Sequence, residues 1–416
     1  MEAGPNMALD RLLGDTDVAQ VLDALNGEGE ETRIVGGAVR NALMGLPVTE
    51  IDLASTALPN EVTRRAGTAG FKAVPTGIEY GTVTLVMRGR PFEVTTLRED
   101  IETDGRHAVV RFGRNFAADA LRRDFTVNAL SLDRSGKVHD TVGGLADLAA
   151  GRVRFIGDAK QRIKEDYLRI LRFFRFHASY ATGPLDPDGF EAAIHLREGL
   201  SFLSAERVRN ELLKLLKAPG AADTAKAMLA GGFWSFILPG VPHVGRFRSA
   251  IETQAFFFEM GGAMARLAAL GVLTSEDAAR LRQRLRLSNA ESALLAGVAV
   301  VLERLHGTLR GEDDAETKRE IARLVLDHGE KRVRIAVAIE VSERDRVRAE
   351  ELSRFSNTIP AFPLSGADLL KRGVTAGPQI GRLLAQMRED WIGAGFPLEK
   401  AALASILDRA TQRRTS

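Results

Sequence analysis

"VGGAVRNALMGLPVTEIDLAST" runs from Val35 to Thr56. A glycine pair leads into Arg40, and ten residues further on come two acidic side chains, Glu50 and Asp52, with one isoleucine between them. Read as a strand, Glu50-Ile51-Asp52 puts both carboxylates on one face, about 7 Å apart along the backbone. Like charges at that spacing repel, and a hard divalent cation, which takes oxygen ligands, would compensate them. Taken alone, the acidic pair also fits a solvated strand face, and the glycines fit an ordinary turn.

Working outward, "RIVGGAV" (33–39) and "GTVTLVMRGRPFEVTTL" (81–97) carry β-branched, alternating patterns. The second reads as a hairpin with Gly89-Arg90 at its centre. Its return run holds Glu93, a third carboxylate that a neighbouring strand would bring beside the first two. Carboxylates on adjacent strands form a cup for two-metal phosphoryl transfer. Gly36-Gly37 lets backbone N–H groups approach a triphosphate, and Arg40 adds a charge for its oxygens. Helix starts are read at Asn41–Met44 and over Pro59–Gly70. From about residue 158 the strand signals vanish. Amphipathic, Leu/Ala-rich segments follow, with Ser204 before "AERVRNELLKLLK", a capping box at Ser288–Glu291, and Pro378 opening a helix after Gly377.

At 416 residues the chain exceeds one ordinary core, so two to four domains are expected. Hydrophobic residues at 45% and charged residues at 27% describe a soluble globular protein. The longest apolar run, Ala293–Leu302, is far short of the ~20 residues that span a bilayer, and no signal-peptide pattern follows Met1. With no cysteines, disulfides, thiolate zinc sites and cysteine nucleophiles are excluded, which fits a reducing, cytoplasmic compartment. Net charge is +2, yet Arg152–Arg175 holds eight Lys/Arg against three Asp/Glu. That density fits either a solvated helix face or a nucleic-acid contact.

Two further clusters carry chemistry. "RRDFTVNAL" (Arg122–Leu130) groups Arg123, Asp124 and Asn128. Arginine forks onto a base edge or phosphate, and Asp and Asn suit ribose hydroxyls; a capped helix start with surface charges is the plain alternative. In "KEDYLRILRFFRFH" (Lys164–His177), Tyr167, Ile170, Leu171 and Phe174 form one apolar stripe with Ile163 just ahead of it. Asp166, Arg169, Arg172 and Arg175 wind around the other side. They suit an i,i+3 salt bridge, or a donor–acceptor pattern that reads a nucleobase without a template.

These pieces, in this order, resemble the class II tRNA nucleotidyltransferases, the CCA-adding enzymes, with bacterial poly(A) polymerases as sister proteins. The family's G-G-x-V-R-D turn, D-x-D pair, R-R-D-x-x-x-N segment and E-D-x-x-R-x-x-R helix correspond to Gly36–Asn41, Glu50–Asp52, Arg122–Asn128 and Glu165–Arg172. The resemblance is strongest over residues 33–216 and looser beyond. It implies an α+β fold: a polymerase-beta-like nucleotidyltransferase head (1–145), a helical neck that recognises the base (146–216), and a helical body and tail that bind tRNA (217–416). It implies CCA addition to the 3′ end of tRNA from CTP and ATP, with Glu50 and Asp52 holding Mg2+ and Glu93 as third carboxylate. Gly37 and Arg40 would meet the triphosphate, Arg123, Asp166 and Arg169 the base, and Asp124 and Asn128 the ribose. Arg172 and Arg175 would complete the pocket.

Two positions depart from the pattern. Asn41 stands for the aspartate of the turn, a structural position. Glu50 stands for the first metal-binding aspartate, one methylene longer. The expected partners are the acceptor arm and 3′ end of tRNA, with no membrane and no DNA. "HDTVGGLADL" corresponds to the family's hinge, and His139-Asp140 lacks the further ligands of an HD phosphohydrolase. "RLRQRLRLS" (Arg280–Ser288) is a solvated face or an RNA contact. A poly(A) polymerase, a partial CC- or A-adding enzyme, and an RNA-binding protein with a disabled head remain open. "REDIETDGRHA" resembles the flexible loop of the complete enzymes.

Overall fold

The structure is a computed structural model describing residues 5–104, 107–306, 314–341 and 346–412. The chain divides into two compact units, one ending at Leu203 and the other beginning at Ser204.

The first unit is built on a seven-stranded sheet in the order β3-β4-β5-β2-β1-β8-β9. The strands are β1 (Thr32–Val35), β2 (Asp52–Ser55), β3 (Lys72–Gly77), β4 (Thr82–Met87), β5 (Arg90–Thr96), β8 (Ser131–Leu132) and β9 (Val138–His139). Of its pairings, β2 with β5 is parallel and the others are antiparallel. The β4–β5 hairpin forms where its alternation places it. Its turn is Arg88-Gly89, both at positive φ (48° and 83°), one residue ahead of the expected centre. A separate ladder joins β6 (Arg98–Asp104) to β7 (His107–Phe112); the tip of the expected flexible loop, Gly105-Arg106, lies outside the described residues.

Four helices, α1 (Pro5–Gly14), α2 (Thr16–Leu25), α3 (Gly37–Leu43) and α4 (Pro59–Thr68), cover one face of the sheet. Ile34, Leu53, Phe92, Val94 and Leu132 from the strands meet Val21, Leu22, Val39 and Val62 in one continuous core. The expected strand over 33–39 is shorter than its β-branched composition suggests. Gly36 takes φ 67°, ψ −120° and ends β1, and α3 begins at Gly37 rather than Asn41. The opposite face carries Arg33, Val35, Asp52, Ala54, Glu93 and Leu97 by alternation.

Beyond the sheet come α5 (Phe116–Leu121), α6 (Gly144–Ala149), α7 (Ala159–Glu165), α8 (Leu168–Tyr180) and α9 (Pro187–Leu196). The apolar stripe read as one helix from Lys164 to His177 is broken at Asp166, which is extended (φ −158°, ψ 106°) between α7 and α8. Phe125, Phe155, Phe173 and Phe176 form an aromatic cluster with centroids 4.8–6.3 Å apart in the contacting pairs. Each such pair adds ~0.5–1.5 kcal/mol beyond its burial, and together they fasten the 122–130 segment to α8.

The second unit is helical throughout its described residues. It runs α10 (Ala205–Lys217), α11 (Ala221–Ala230), α12 (Trp234–Ile237), α13 (Val244–Glu252), α14 (Ala263–Gly271), α15 (Ser275–Leu285) and α16 (Asn289–Leu305). It continues with α17 (Asp314–His328), α18 (Glu330–Val341), α19 (Arg346–Ser356), α20 (Gly366–Lys371), α21 (Pro378–Gly393) and α22 (Lys400–Gln412). The Ser288 capping box is present: its side chain accepts from Glu291 N–H while Glu291 accepts from Ser288 N–H. In a buried ion pair, Arg334–Glu259 at 2.7 Å, the arginine also donates to Ser356 and Asn357. No helix among the described residues is long and apolar enough to cross a membrane.

Candidate active site

Asp52 opens β2, opposite Val35 of β1 on one side and Glu93 of β5 on the other. Side-chain alternation brings Asp52 and Glu93 out on the face away from the helical core. Glu50 differs from the expectation of a shared strand. It lies in the connection between α3 and β2, outside the ladder. All three carboxylates are exposed. Desolvation by the surrounding protein and then the charge of Glu50 push the Asp52 carboxyl up, against a pull from Arg123. Glu93 is pushed up by desolvation, then by Asp52 and Glu50. Such mutually opposed oxygen donors are suited to a hard divalent cation. Among the described residues no three His, Asp or Glu side chains are drawn together closely enough to form a metal cluster on their own. The donor chemistry fits a divalent ion at an open edge.

Next to this edge the chain turns at Gly36. A side chain there would be strained at φ 67°, and its Cβ would stand 3.0 Å from Nη1 of Arg123. Glycine therefore permits both the turn and the approach of Arg123, which donates to the Asn128 carbonyl (3.2 Å) and to Asp119 Oδ2 through Nε (3.1 Å) and Nη2 (3.0 Å). Asp119 is buried and also takes Arg122, so one carboxylate orients both arginines. Asp119 is a site residue beyond the sequence motifs, and its i,i+3 and i,i+4 spacing to the two arginines is the signal that finds it.

Arg40 is turned inward. Only 5% exposed, it donates to Asn41 Oδ1 (2.8 Å), to the Tyr180 hydroxyl (2.8 Å) and to Asn128 Oδ1, and its guanidinium lies 4.0 Å from the Tyr180 ring centroid. Asn41 in turn donates to the Pro47 carbonyl, so the residue in place of aspartate holds the turn after α3. Asn128 passes the connection on to Asp124 Oδ1 (3.0 Å), and Asp124 Oδ2 receives Nε of Arg172 at 2.6 Å. Burial opposes the charge on Asp124, but Arg172, Asn128 and the Phe125 N–H outweigh it and hold its carboxyl below the usual range. The plain alternative of a helix surface does not hold for this segment, which is interior: Asp124, Thr126 and Asn128 are all buried.

On α8, Arg175 stacks on Phe176 at 3.9 Å, with Arg40 and Arg172 each 5.2 Å from the same ring. Arg169 pairs with Glu165 (2.5 Å) and donates to the Arg162 carbonyl, while Arg162 donates to the carbonyls of Arg122 and Arg123. Asp166 accepts the Leu168 N–H at 3.1 Å, capping α8 from the break. Gly37 opens α3 beside these groups. Thus Asp52, Glu93, Gly36 and Arg123 lie around one edge, with Arg40, Asn128, Asp124 and Arg172 linked behind it. Arg169 is joined to that assembly through Arg162, and its N–H bonds the Asp166 carbonyl.

His139 and Asp140 are engaged elsewhere. His139 bonds Asp133 at 2.6 Å, and the Asp140 carboxylate takes the N–H groups of Val142, Gly143, Gly144 and Leu145. That holds the start of α6. In the second unit the basic run is partly paired: Arg280 with Glu276, and Arg286 with Glu206.

Comparison with known proteins identifies the relatives of the whole chain. The model of the poly A polymerase head domain matches residues 32–154, and the model described as a probable RNA and SrmB-binding site of polymerase A matches 184–243. The chain is 35% identical over 387 residues to the Mus musculus protein named CCA tRNA nucleotidyltransferase 1, mitochondrial, spanning 92% of this chain and 87% of that one. It is 30% identical to a CCA-adding enzyme of Levilactobacillus brevis, spanning 96% and 100%. Among solved structures, the Bacillus stearothermophilus CCA-adding enzyme in complex with CTP superposes with a TM-score of 0.71 at 26% identity, covering 98% of this chain and 99% of that one.

Proposed function

From the chain's membership of the CCA-adding tRNA nucleotidyltransferase family, we propose that it builds the CCA end of tRNA from CTP and ATP without a nucleic-acid template. The observation that carries the reading is the Asp52–Glu93 pair on adjacent parallel strands, one residue from the Gly36 turn in strand register. The RNA 3′ oxygen attacks the α-phosphorus of the incoming nucleotide, a P–O bond forms, the bond to pyrophosphate breaks, and the hydroxyl proton passes to water at this exposed edge. Asp52, Glu50 and Glu93 are the residues that would hold a divalent ion, Mg2+ in this proposal. When bound, it supplies charge neutralisation at the reacting phosphate and lowers the pKa of the attacking hydroxyl.

The chain's own groups supply position. The backbone at Gly37 meets the triphosphate, and Arg40 lends its charge from behind the turn. Arg123, Asp166 and Arg169 face the base, and Arg172 and Arg175 flank it. Asp124 and Asn128 stand nearest the ribose and keep this set in register. The functional division remains head 1–145, neck 146–216, and body and tail 217–416, the last holding the acceptor arm of tRNA. A cytoplasmic location belongs to the same proposal, supported by the cysteine-free sequence; cell fractionation tests it.

The activity test uses tRNA lacking CCA with CTP, ATP and Mg2+, followed by sequencing of the 3′ end. The expected product ends in CCA and stops. Long A tails on unrelated RNA would identify a poly(A) polymerase, addition of CC alone or A alone a partial enzyme, and retention without extension an RNA-binding protein.

A further inference from the structure

Tyr167 stands between the two residues assigned to the base, Asp166 and Arg169, as the first turn of α8 forms (φ −61°, ψ −17°). Its ring lies on the backbone of Gly199, in the turn Arg197–Phe202. A methyl group at Gly199 would stand 1.9 Å from Cδ1 of that ring, 2.2 Å from Cε1 and 2.4 Å from Cγ. Contacts that short cannot exist, so any side chain at 199 displaces the ring or the turn. Gly199 is buried and its φ is not in the left-handed region, so the ring alone sets the demand for glycine. Phe202 bounds the ring elsewhere, with centroids 6.2 Å apart.

This ring sits at the break between α7 and α8. Asp166 is extended, its N–H bonds the Ile163 carbonyl (3.1 Å), and its own carbonyl accepts from Arg169 N–H (3.0 Å). The Tyr167 carbonyl accepts from Ile170 N–H (3.1 Å). Tyr167 therefore lies in the same hydrogen-bonded turn as Asp166 and Arg169.

We propose that Gly199 and Tyr167 form a positioning pair that governs nucleotide choice. The missing side chain at 199 seats the Tyr167 ring, and the seated ring presents Asp166 and Arg169 to the base. The inference rests on the reading of Asp166 and Arg169 as the base-facing pair.

The experiment measures the ratio of kcat/KM for CTP to that for ATP on tRNA lacking CCA. It compares wild type, G199A, Y167F, Y167A, G199A/Y167A and D166A. G199A is expected to lower the ratio by about tenfold, within the ~100-fold that a 1 Å misplacement can cost. Y167F, which keeps the ring, should match wild type. G199A/Y167A should match Y167A, because without the ring the added methyl has nothing to displace. A wild-type ratio in G199A, or additive effects in the double variant, overturns the pair while D166A still shifts the ratio. An unchanged ratio in D166A overturns the base-facing reading itself, and the inference with it. Should G199A lose its cooperative thermal transition, Y167A decides: an unchanged ratio there overturns the proposal.

Discussion

Asp52 and Glu93 face each other across the parallel β2–β5 pair, and the charge of Asp52 is one of the reasons the Glu93 carboxyl is pushed up. A carboxyl whose folded-state pKa is raised binds its proton more tightly when folded, so stability falls as pH rises from the unfolded value, about 3.9 for Asp, through the folded one. With a chelator present, Asp52→Asn is therefore expected to raise Tm at pH 7, with the gain disappearing near pH 3. The same variant should lose nucleotide incorporation by at least ~1,000-fold, the several kcal/mol that a metal-holding group supplies. Thermal melts at both pH values and a primer-extension assay check it. A lowered Tm at pH 7 would contradict the crowding of charge at this edge.

Arg40 gives a different kind of prediction, because its guanidinium is surrounded by Asn41, Asn128 and Tyr180 rather than solvent. Lysine presents a single ammonium and cannot reach three acceptors in different directions while lying flat on a ring. Arg40→Lys and Arg40→Met are both expected to destabilise the fold by about 2–4 kcal/mol, the scale of leaving buried polar partners unpaired. Urea denaturation measures this. A variant as stable as wild type would show that the guanidinium is not the hub of these bonds.

Asp124 and Arg172 set the acid limit. The carboxyl of Asp124 is held below its usual range by Arg172 and Asn128, so its contribution is present above the unfolded pKa and is lost as pH falls through the folded one. Asp124→Asn should cost about 1–3 kcal/mol at pH 7, where the partly exposed Arg172 loses its charged partner. The gap between variant and wild type should narrow steadily below pH 4. Denaturant titrations from pH 7 to pH 3 test the slope; a gap independent of pH would assign the cost to packing.

The contrast among these residues explains what the sequence revealed. Local patterns were readable: the alternation of β4 and β5, Glu93 on the strand beside Asp52, the Ser288 capping box and Pro378 opening α21. The break at Asp166 was hidden because Ile163, Tyr167 and Ile170 keep helical spacing through it, and one extended residue does not disturb a hydrophobic stripe. The interior character of Asp124 and Asn128 was hidden for another reason. Arg172 is 48 residues from Asp124, and Tyr180 is 140 residues from Arg40, so the partners that make burial tolerable are long-range. Charged residues without visible partners read as surface. The seat of Tyr167 on Gly199 was silent, since a glycine needed for another residue's ring looks like any other turn glycine.

Glu50 is the one metal-binding candidate outside the sheet, and its place decides how the extra methylene is absorbed. Asp52 is fixed by ladder bonds to β1 and β5, whereas Glu50 sits in the connection after α3, where the backbone is not tied into the strand register. That connection can draw back to offset a longer side chain, so the octahedral geometry that Mg2+ demands at ~2.0–2.1 Å does not require aspartate here. Glu50→Ala is expected to cut incorporation by about 100-fold or more, with Glu50→Asp within roughly tenfold of wild type because the same backbone freedom works in both directions. Mg2+ titrations should show the half-saturating concentration rising in Glu50→Ala. Full activity in Glu50→Ala beside a dead Asp52→Ala would remove Glu50 from the metal-holding set and leave Asp52 and Glu93 to hold the ion.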